Sequence, residues 1–177
     1  KEFSHVDSTD WLAVDITHGI ESTLRVISNE LKYKAEVLRH YPADLPLLYC
    51  QPMQLNQVFM NLLVNAAQAM DSFGRIDIDV SYDETAIQVR VKDSGKGISA
   101  EHMKRIFEPF FTTKPVGQGT GLGLSLSYTI ISRHKGTIQV ESTVGVGTTF
   151  IVTLPLRSED QVRMDEEQFQ LQKHGGA

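Results

Sequence analysis

The feature that most limits what this chain can fold into is a long glycine-rich segment, Ser94 to Gly123, set between a pair of strands and a helix. Nine of the 13 glycines lie between Gly95 and Gly147, and Gly117, Gly119, Gly121 and Gly123 alternate just ahead of the helix. A compact domain seldom holds so long a loop unless it serves as a lid or a binding element. Its flanks are regular. Ile76, Ile78 and Val80 alternate with polar residues, as do Ile87, Val89 and Val91, and Asp83-Glu84-Thr85 between them reads as a hairpin turn. Beyond the loop, Gly123 to His134 reads as a helix. Thr137 to Glu141 and Thr149 to Leu154 then alternate again, joined by Gly145-Val146-Gly147.

Upstream, Ile20, Leu24, Ile27 and Leu31 recur at helical spacing and predict an amphipathic helix from about Ile16 to Arg39, ended by Pro42 and Pro46. A short strand follows. A second helix, about Met53 to Met70, enters behind Pro52 with the apolar stripe Leu55, Phe59, Leu62, Ala66 and Met70. Strands joined by short turns pair antiparallel, so the expected fold is an α+β two-layer sandwich. Residues 1–11 are polar and patternless, 12–156 hold the periodic structure, and 157–177 read as a solvated, partly helical tail with little core to offer.

Composition narrows the function. A net charge of -5 leaves no basic footprint for nucleic acid, so any polyanion must be met locally, by glycine backbones and a few lysines. Apolar runs such as Leu47 to Cys50 fall far short of the ~20 residues a membrane helix needs. No secretory signal pattern opens the sequence. The lone Cys50 cannot form an internal disulfide, which fits a reducing compartment and a small buried hydrophobe.

Three groups of residues point to chemistry. Asn61, Asn65 and Gln68 stand at i, i+4 and i+7, on one face of the second helix opposite its apolar stripe. Two asparagines alone read as a solvated face; as a ligand, an amide oxygen would suit Mg²⁺, which takes oxygen donors and keeps most of its waters. Asp93-Ser94-Gly95-Lys96-Gly97-Ile98 ends a strand. It is either a plain turn or an ionised acceptor suited to a donor such as an adenine amino group. Gly117-Gln118-Gly119-Thr120-Gly121-Leu122-Gly123 opens into a helix, as a linker or as a phosphate cradle of backbone N–H groups. Neither common phosphate-loop pattern occurs.

Asn61-Leu62-Leu63-Val64-Asn65-Ala66, Asp93-Ser94-Gly95-Lys96-Gly97, Phe107-Glu108-Pro109-Phe110-Phe111-Thr112-Thr113-Lys114, Gly119-Thr120-Gly121-Leu122-Gly123-Leu124 and Gly145-Val146-Gly147-Thr148 occur in that order. Together they resemble the asparagine box, first glycine box, phenylalanine box, second glycine box and third glycine region of bacterial sensor histidine kinases. The resemblance covers roughly Leu12 to Leu156. It implies the Bergerat ATP-binding fold, a mixed, mostly antiparallel sheet covered on one face by helices. The phenylalanine box separates these kinases from topoisomerase, mismatch-repair and chaperone relatives of that fold.

The resemblance further implies a role for each matched residue. Asp93 would accept from the adenine amino group, supported by Thr148 through water. Gly95 and Gly97 would allow close approach, and Ile98 would pack on the base. Asn65 would ligate Mg²⁺, while Asn61, an amide and no strong base, would position. Gly119, Thr120, Gly121, Leu122 and Gly123 would hold phosphates from a lid ordered by Phe107, Phe110 and Phe111. Lys114, beside Thr113, would meet the terminal phosphates. Gln68 stands where many family members have a phosphate-contacting lysine, which leaves more neutralisation to Lys114 and Gln118.

None of the six histidines, His5, His18, His40, His102, His134 and His174, has the surroundings of a phosphoacceptor; roughly nine in ten such histidines are ordinary surface or boundary residues, so none is expected to be the acceptor. The expected activity is therefore that of a protein histidine kinase catalytic domain. It would bind Mg·ATP and pass the γ-phosphoryl group to a histidine on a separate dimerisation domain, with residues 1–11 as linker. Expected partners are that domain and, through it, a response regulator, with no nucleic acid and no direct membrane contact. The setting would be cytoplasmic and the chain by itself monomeric. The alternative is a nucleotide-gated switch without phosphotransfer.

Overall fold

The computed structural model describes residues 9–113 and 123–176. In chain order the elements are β1 (Leu12–Val14), α1 (Ile16–Val26), α2 (Ser28–Leu31), β2 (Ala35–His40), β3 (Leu48–Cys50), α3 (Pro52–Gln68), β4 (Gly74–Tyr82) and β5 (Ala86–Asp93). They continue with α4 (Ala100–Met103), α5 (Gly123–Arg133), β6 (Thr137–Thr143), β7 (Gly147–Pro155) and α6 (Glu159–His174). The main sheet runs β2-β4-β5-β7-β6, parallel between β2 and β4 and antiparallel elsewhere, and β1 pairs antiparallel with β3.

Alternation dictates the layering. Along β4 and β5, Ile76, Ile78, Ile87 and Val89 are fully buried while their neighbours reach solvent, so one sheet face meets the helices. Against it lie Leu55, Phe59, Leu62 and Leu63 of α3, Ile20 and Leu24 of α1, and Ile130 and Ile131 of α5. Burying each such side chain contributes about 1.5–3 kcal/mol. The result is the expected α+β sandwich with a mixed sheet. Cys50 is fully buried, and burial alone pushes its thiol up to about 12.

One expectation about local structure needs correction. The helix predicted over Ile16–Arg39 stops at Leu31, and Ala35–His40 is strand β2, paired parallel with β4. The apolar helical stripe also ends at Leu31. Beyond it the Lys34 carbonyl accepts from Gly74 N–H at 2.9 Å and hands the chain to the sheet, where non-local pairing overrides local propensity. The tail, expected to be partly helical with little core to offer, forms α6, opened by a capping box between Ser158 and Gln161. Val162 is buried, and Arg133 of α5 clasps Glu166 through two bonds of 2.9 and 2.6 Å with its guanidinium over the Phe169 ring.

His134 lies in the interior at 2% exposure. Its Nδ1–H donates to the Ile130 carbonyl at 2.8 Å, so Nε2 is the acceptor for the Gln51 N–H at 3.0 Å. Trp11 tilts over its ring at 4.9 Å and is in turn covered by the Arg157 guanidinium. Burial holds the imidazole below the usual histidine range; Arg157 and Arg133 press the same way, while the Ile130 carbonyl and Glu166 oppose. The neutral form therefore contributes fully above pH of about 6.5, and that contribution is lost as pH falls through this value toward the lower folded-state pKa. Urea midpoints at pH 7.5 and 5.5 should show a smaller pH dependence in His134→Gln than in the parent.

Candidate functional site

Helix α3 carries the first wall of a cleft of about 510 Å³. Its apolar stripe faces the sheet, so the opposite register turns Asn61, Asn65 and Gln68 toward the cleft. The second wall is the end of β5 with the loop after it, bringing Asp93, Lys96, Gly97 and Ile98. Thr148 and Phe150 of β7 form the floor, and His102 of α4 approaches together with Ile106, Phe111, Thr112 and Thr113 from the chain after it. Gly123 and Leu124 at the start of α5 close the end beside Asn61.

Asp93 is 4% exposed yet lines the cleft. Its Oδ1 accepts from Gly95 N–H at 2.8 Å and Thr148 N–H at 3.3 Å, and both bonds leave Oδ2 for a ligand. Burial raises its pKa above the ordinary carboxylate range, opposed by those two N–H groups. Burying a charge is costly, so a buried acceptor aimed at a cleft is a functional signature rather than a stabilising one.

Two glycines make this corner possible. Gly97 has φ +76°, and a Cβ there would run into the Thr143 carbonyl. Gly147 has φ +148°, and a Cβ there would run into the Asp93 carbonyl itself. Gly95 does not line the cleft; its place is against the Ala69 backbone, from which it donates to Asp93.

Asn61 is engaged on both sides. Its Nδ2 donates to the Gly123 carbonyl at 2.9 Å and to Ser127 Oγ at 3.1 Å, while its Oδ1 accepts from Gln57 Nε2 at 3.1 Å. It thus ties α3 to the first turn of α5, a structural part that the helix-face pattern alone did not suggest. Phe107 packs against Tyr128 and Phe150 at ring separations of 5.8 and 6.5 Å, and Phe111 sits between His102 and Arg105. Phe110 is exposed and has φ 66°, a left-handed conformation unusual for an aromatic residue.

The cleft thus brings together Asn61, Asn65, Asp93, Gly97, Ile98, Thr113, Gly123 and Thr148. Lys114, Gln118, Gly119, Thr120, Gly121 and Leu122 lie outside the described residues. Thr148 reaches Asp93 directly through its backbone N–H. Sequence reasoning missed Ser142, whose Oγ binds Ile98 N–H at 2.7 Å and Thr148 Oγ1 at 2.7 Å, and Ser127, fully buried under Asn61. Only the hairpin register about Gly145, which sets residue 142 opposite 148, held a signal for Ser142.

Fold and site define an α+β domain whose ligand cleft is walled by a polar helix face, a strand-end carboxylate and a glycine-bounded hairpin. The chain belongs to the histidine kinase-, DNA gyrase B- and HSP90-like ATPase family, whose model matches residues 50–158. It is 45% identical over 125 residues to sporulation kinase E of Bacillus subtilis strain 168, covering 70% of this chain and 17% of that protein. It is 41% identical over 145 residues to the sensor histidine kinase ZraS of Escherichia coli strain K12, covering 81% of this chain and 31% of that one. The chain therefore spans less than a third of either relative. Among solved structures, the catalytic domain of histidine kinase ThkA matches with a TM-score of 0.73 and 30% identity, over 83% of this chain and 98% of that one. Within the family, then, this chain stands with the catalytic domains of sensor histidine kinases. No helix among the described residues is long and apolar enough to cross a membrane.

Proposed function

We propose that this chain binds Mg·ATP in the cleft and delivers the γ-phosphoryl group to a histidine on a separate dimerisation domain. The observation that carries the reading is Asp93, a buried carboxylate held at Oδ1 by two backbone donors and left with an acceptor for an amino-bearing base. Ile98 would pack on that base, with Gly97 admitting it close to the backbone. Among the described residues no three His, Cys, Asp or Glu side chains gather to hold a metal ion. The Asn65 amide on the cleft wall would suit a cation that takes one oxygen there and the rest from water and phosphate. Mg²⁺, when bound, would neutralise phosphate charge as it develops.

Asn61 would keep the start of α5 seated on α3, holding the segment before it in register with the phosphates. Lys114 and Gly119 to Gly123 would complete the phosphate site, with Lys96 as the cation on the described lining. Phosphoryl transfer asks mainly for positioning and charge stabilisation, so the attacking nucleophile would be the acceptor imidazole itself. A response regulator would then draw the group from that histidine. Gln68, a neutral amide on the cleft wall, gives some support to a second reading as a nucleotide-gated switch.

The test is to incubate the chain with ATP labelled on its γ-phosphate, alone and with a dimerisation domain from a related kinase. Label should appear on that domain and not on this chain. Stable label on this chain would contradict the reading; bound ATP without any transfer would favour the switch.

A further inference from the structure

Trp11 sits where three parts of the chain meet. Its ring stacks on Tyr49 of β3 at 6.1 Å, tilts over His134 just after α5 at 4.9 Å, and carries the Arg157 guanidinium at 5.6 Å. Arg157 comes just ahead of α6 and is anchored to that helix by Asp165 at 2.7 Å. Gln51 binds into the same corner twice. Its Nε2 donates to the Thr9 carbonyl at 2.8 Å, and its backbone N–H donates to His134 Nε2 at 3.0 Å.

The rest of this segment is weakly held. β1 has three residues and pairs with β3 in a two-stranded sheet apart from the main one. Leu12 and Ala13 are exposed and Val14 is half-buried. A two-stranded ribbon of this size is marginal by itself, so its docking depends on the seat under Trp11. That seat is incompletely satisfied. Arg157 Nε is buried with no hydrogen-bond partner among the described residues, a penalty that opening to water relieves.

We infer that residues 9–14 form a releasable strap, seated through Trp11 on His134 and clasped by Arg157, which α6 holds in place. Its release leaves the main sheet folded. Acid is the trigger that the seat's chemistry provides. Neutral His134 presents Nε2 as an acceptor to the Gln51 N–H; protonated, it sets a donor against a donor. The new cation also faces Arg157 and Arg133 of α5, with Glu166 of α6 as the carboxylate opposing them. Burial keeps the imidazole neutral while the strap is seated, and water restores its ordinary range once the strap lifts. Opening therefore rises as pH falls below about 6.5.

The experiment follows backbone amide exchange across the β1–β3 pair in the whole chain, with β5 and β7 as reference, at pH 7.5 and 5.5 after correction for intrinsic rates. In the parent, the β1–β3 amides should exchange faster than the reference strands. They should speed up by as much as about tenfold at the lower pH, one unit below the ordinary histidine value. His134→Gln should abolish that acceleration. Asp165→Ala leaves Trp11, His134 and Arg157 in place; it should speed β1–β3 exchange up to about fivefold at both pH values, the effect of one ion pair, with β5 and β7 unmoved. Should His134→Gln fail to fold, Asp165→Ala still decides. Any one of three results overturns the inference: β1–β3 exchange in folded Asp165→Ala that stays at the parent rate or only follows β5 and β7, parent β1–β3 exchange that ignores pH, or a pH response that survives in folded His134→Gln.

Discussion

Asp93→Asn should remove most nucleotide affinity while leaving the fold as stable as the parent, or more so. The asparagine Oδ1 can still accept from Gly95 and Thr148, which bond only that atom. What changes is the position facing the cleft, where an acceptor becomes a donor aimed at a donor. Losing a charge-assisted bond and adding that mismatch should cost about 2–4 kcal/mol, or roughly 30- to 1000-fold in Kd. Stability moves the other way. Burial raises the Asp93 pKa, so the folded chain holds this proton more tightly than the unfolded one. Stability then falls as pH rises from about 3.9 through the folded-state value, and the ionised form at neutral pH opposes folding. A neutral amide escapes that opposition. Calorimetry and thermal melts on the same samples check both halves; an affinity loss accompanied by a lower Tm would make Asp93 a structural residue.

Gly147→Ala should be the most damaging small substitution in the hairpin, and Gly145→Ala its control. Both positions have positive φ, but a Cβ at Gly145 would meet nothing within 4 Å. That substitution should cost only the left-handed backbone penalty, about 1–2 kcal/mol. At Gly147 the new Cβ would strike the carbonyl of Asp93, and backbone cannot swing aside as a side-chain end does. Relief requires β7 to move from β5 at the Asp93–Thr148 pair, where the carboxylate is held. A loss of about 3 kcal/mol or more is expected, together with nucleotide affinity. Urea midpoints compare the two variants; equal costs would contradict this account of the corner.

The strands of this fold were legible because one-sided burial writes a period of two into β4, β5, β6 and β7. The stripe of α3 was legible for the same reason at helical period. β2 was not, because its pairing with β4 joins residues about forty positions apart, and no local pattern records that contact. The attachment of α6 was hidden because it rests on Arg133 and on Arg157 to Asp165, and few of its residues are apolar. At the site, Asn61, Asn65 and Gln68 could be placed on one face from their spacing, and Asp93 at a strand end. The bonds from Asn61 to α5 could not, since they depend on how two helices pack.

The central claim is that the cleft behind Asp93 and Asn65 is a Mg·ATP site, and the most direct measurement is a calorimetric titration with ATP in the presence and absence of Mg²⁺. The account predicts a single site in the parent chain, tighter with Mg²⁺, and loss of that Mg²⁺ dependence in Asn65→Ala. A folded parent with no heat of binding, or a Mg²⁺ dependence untouched by Asn65→Ala, would contradict it.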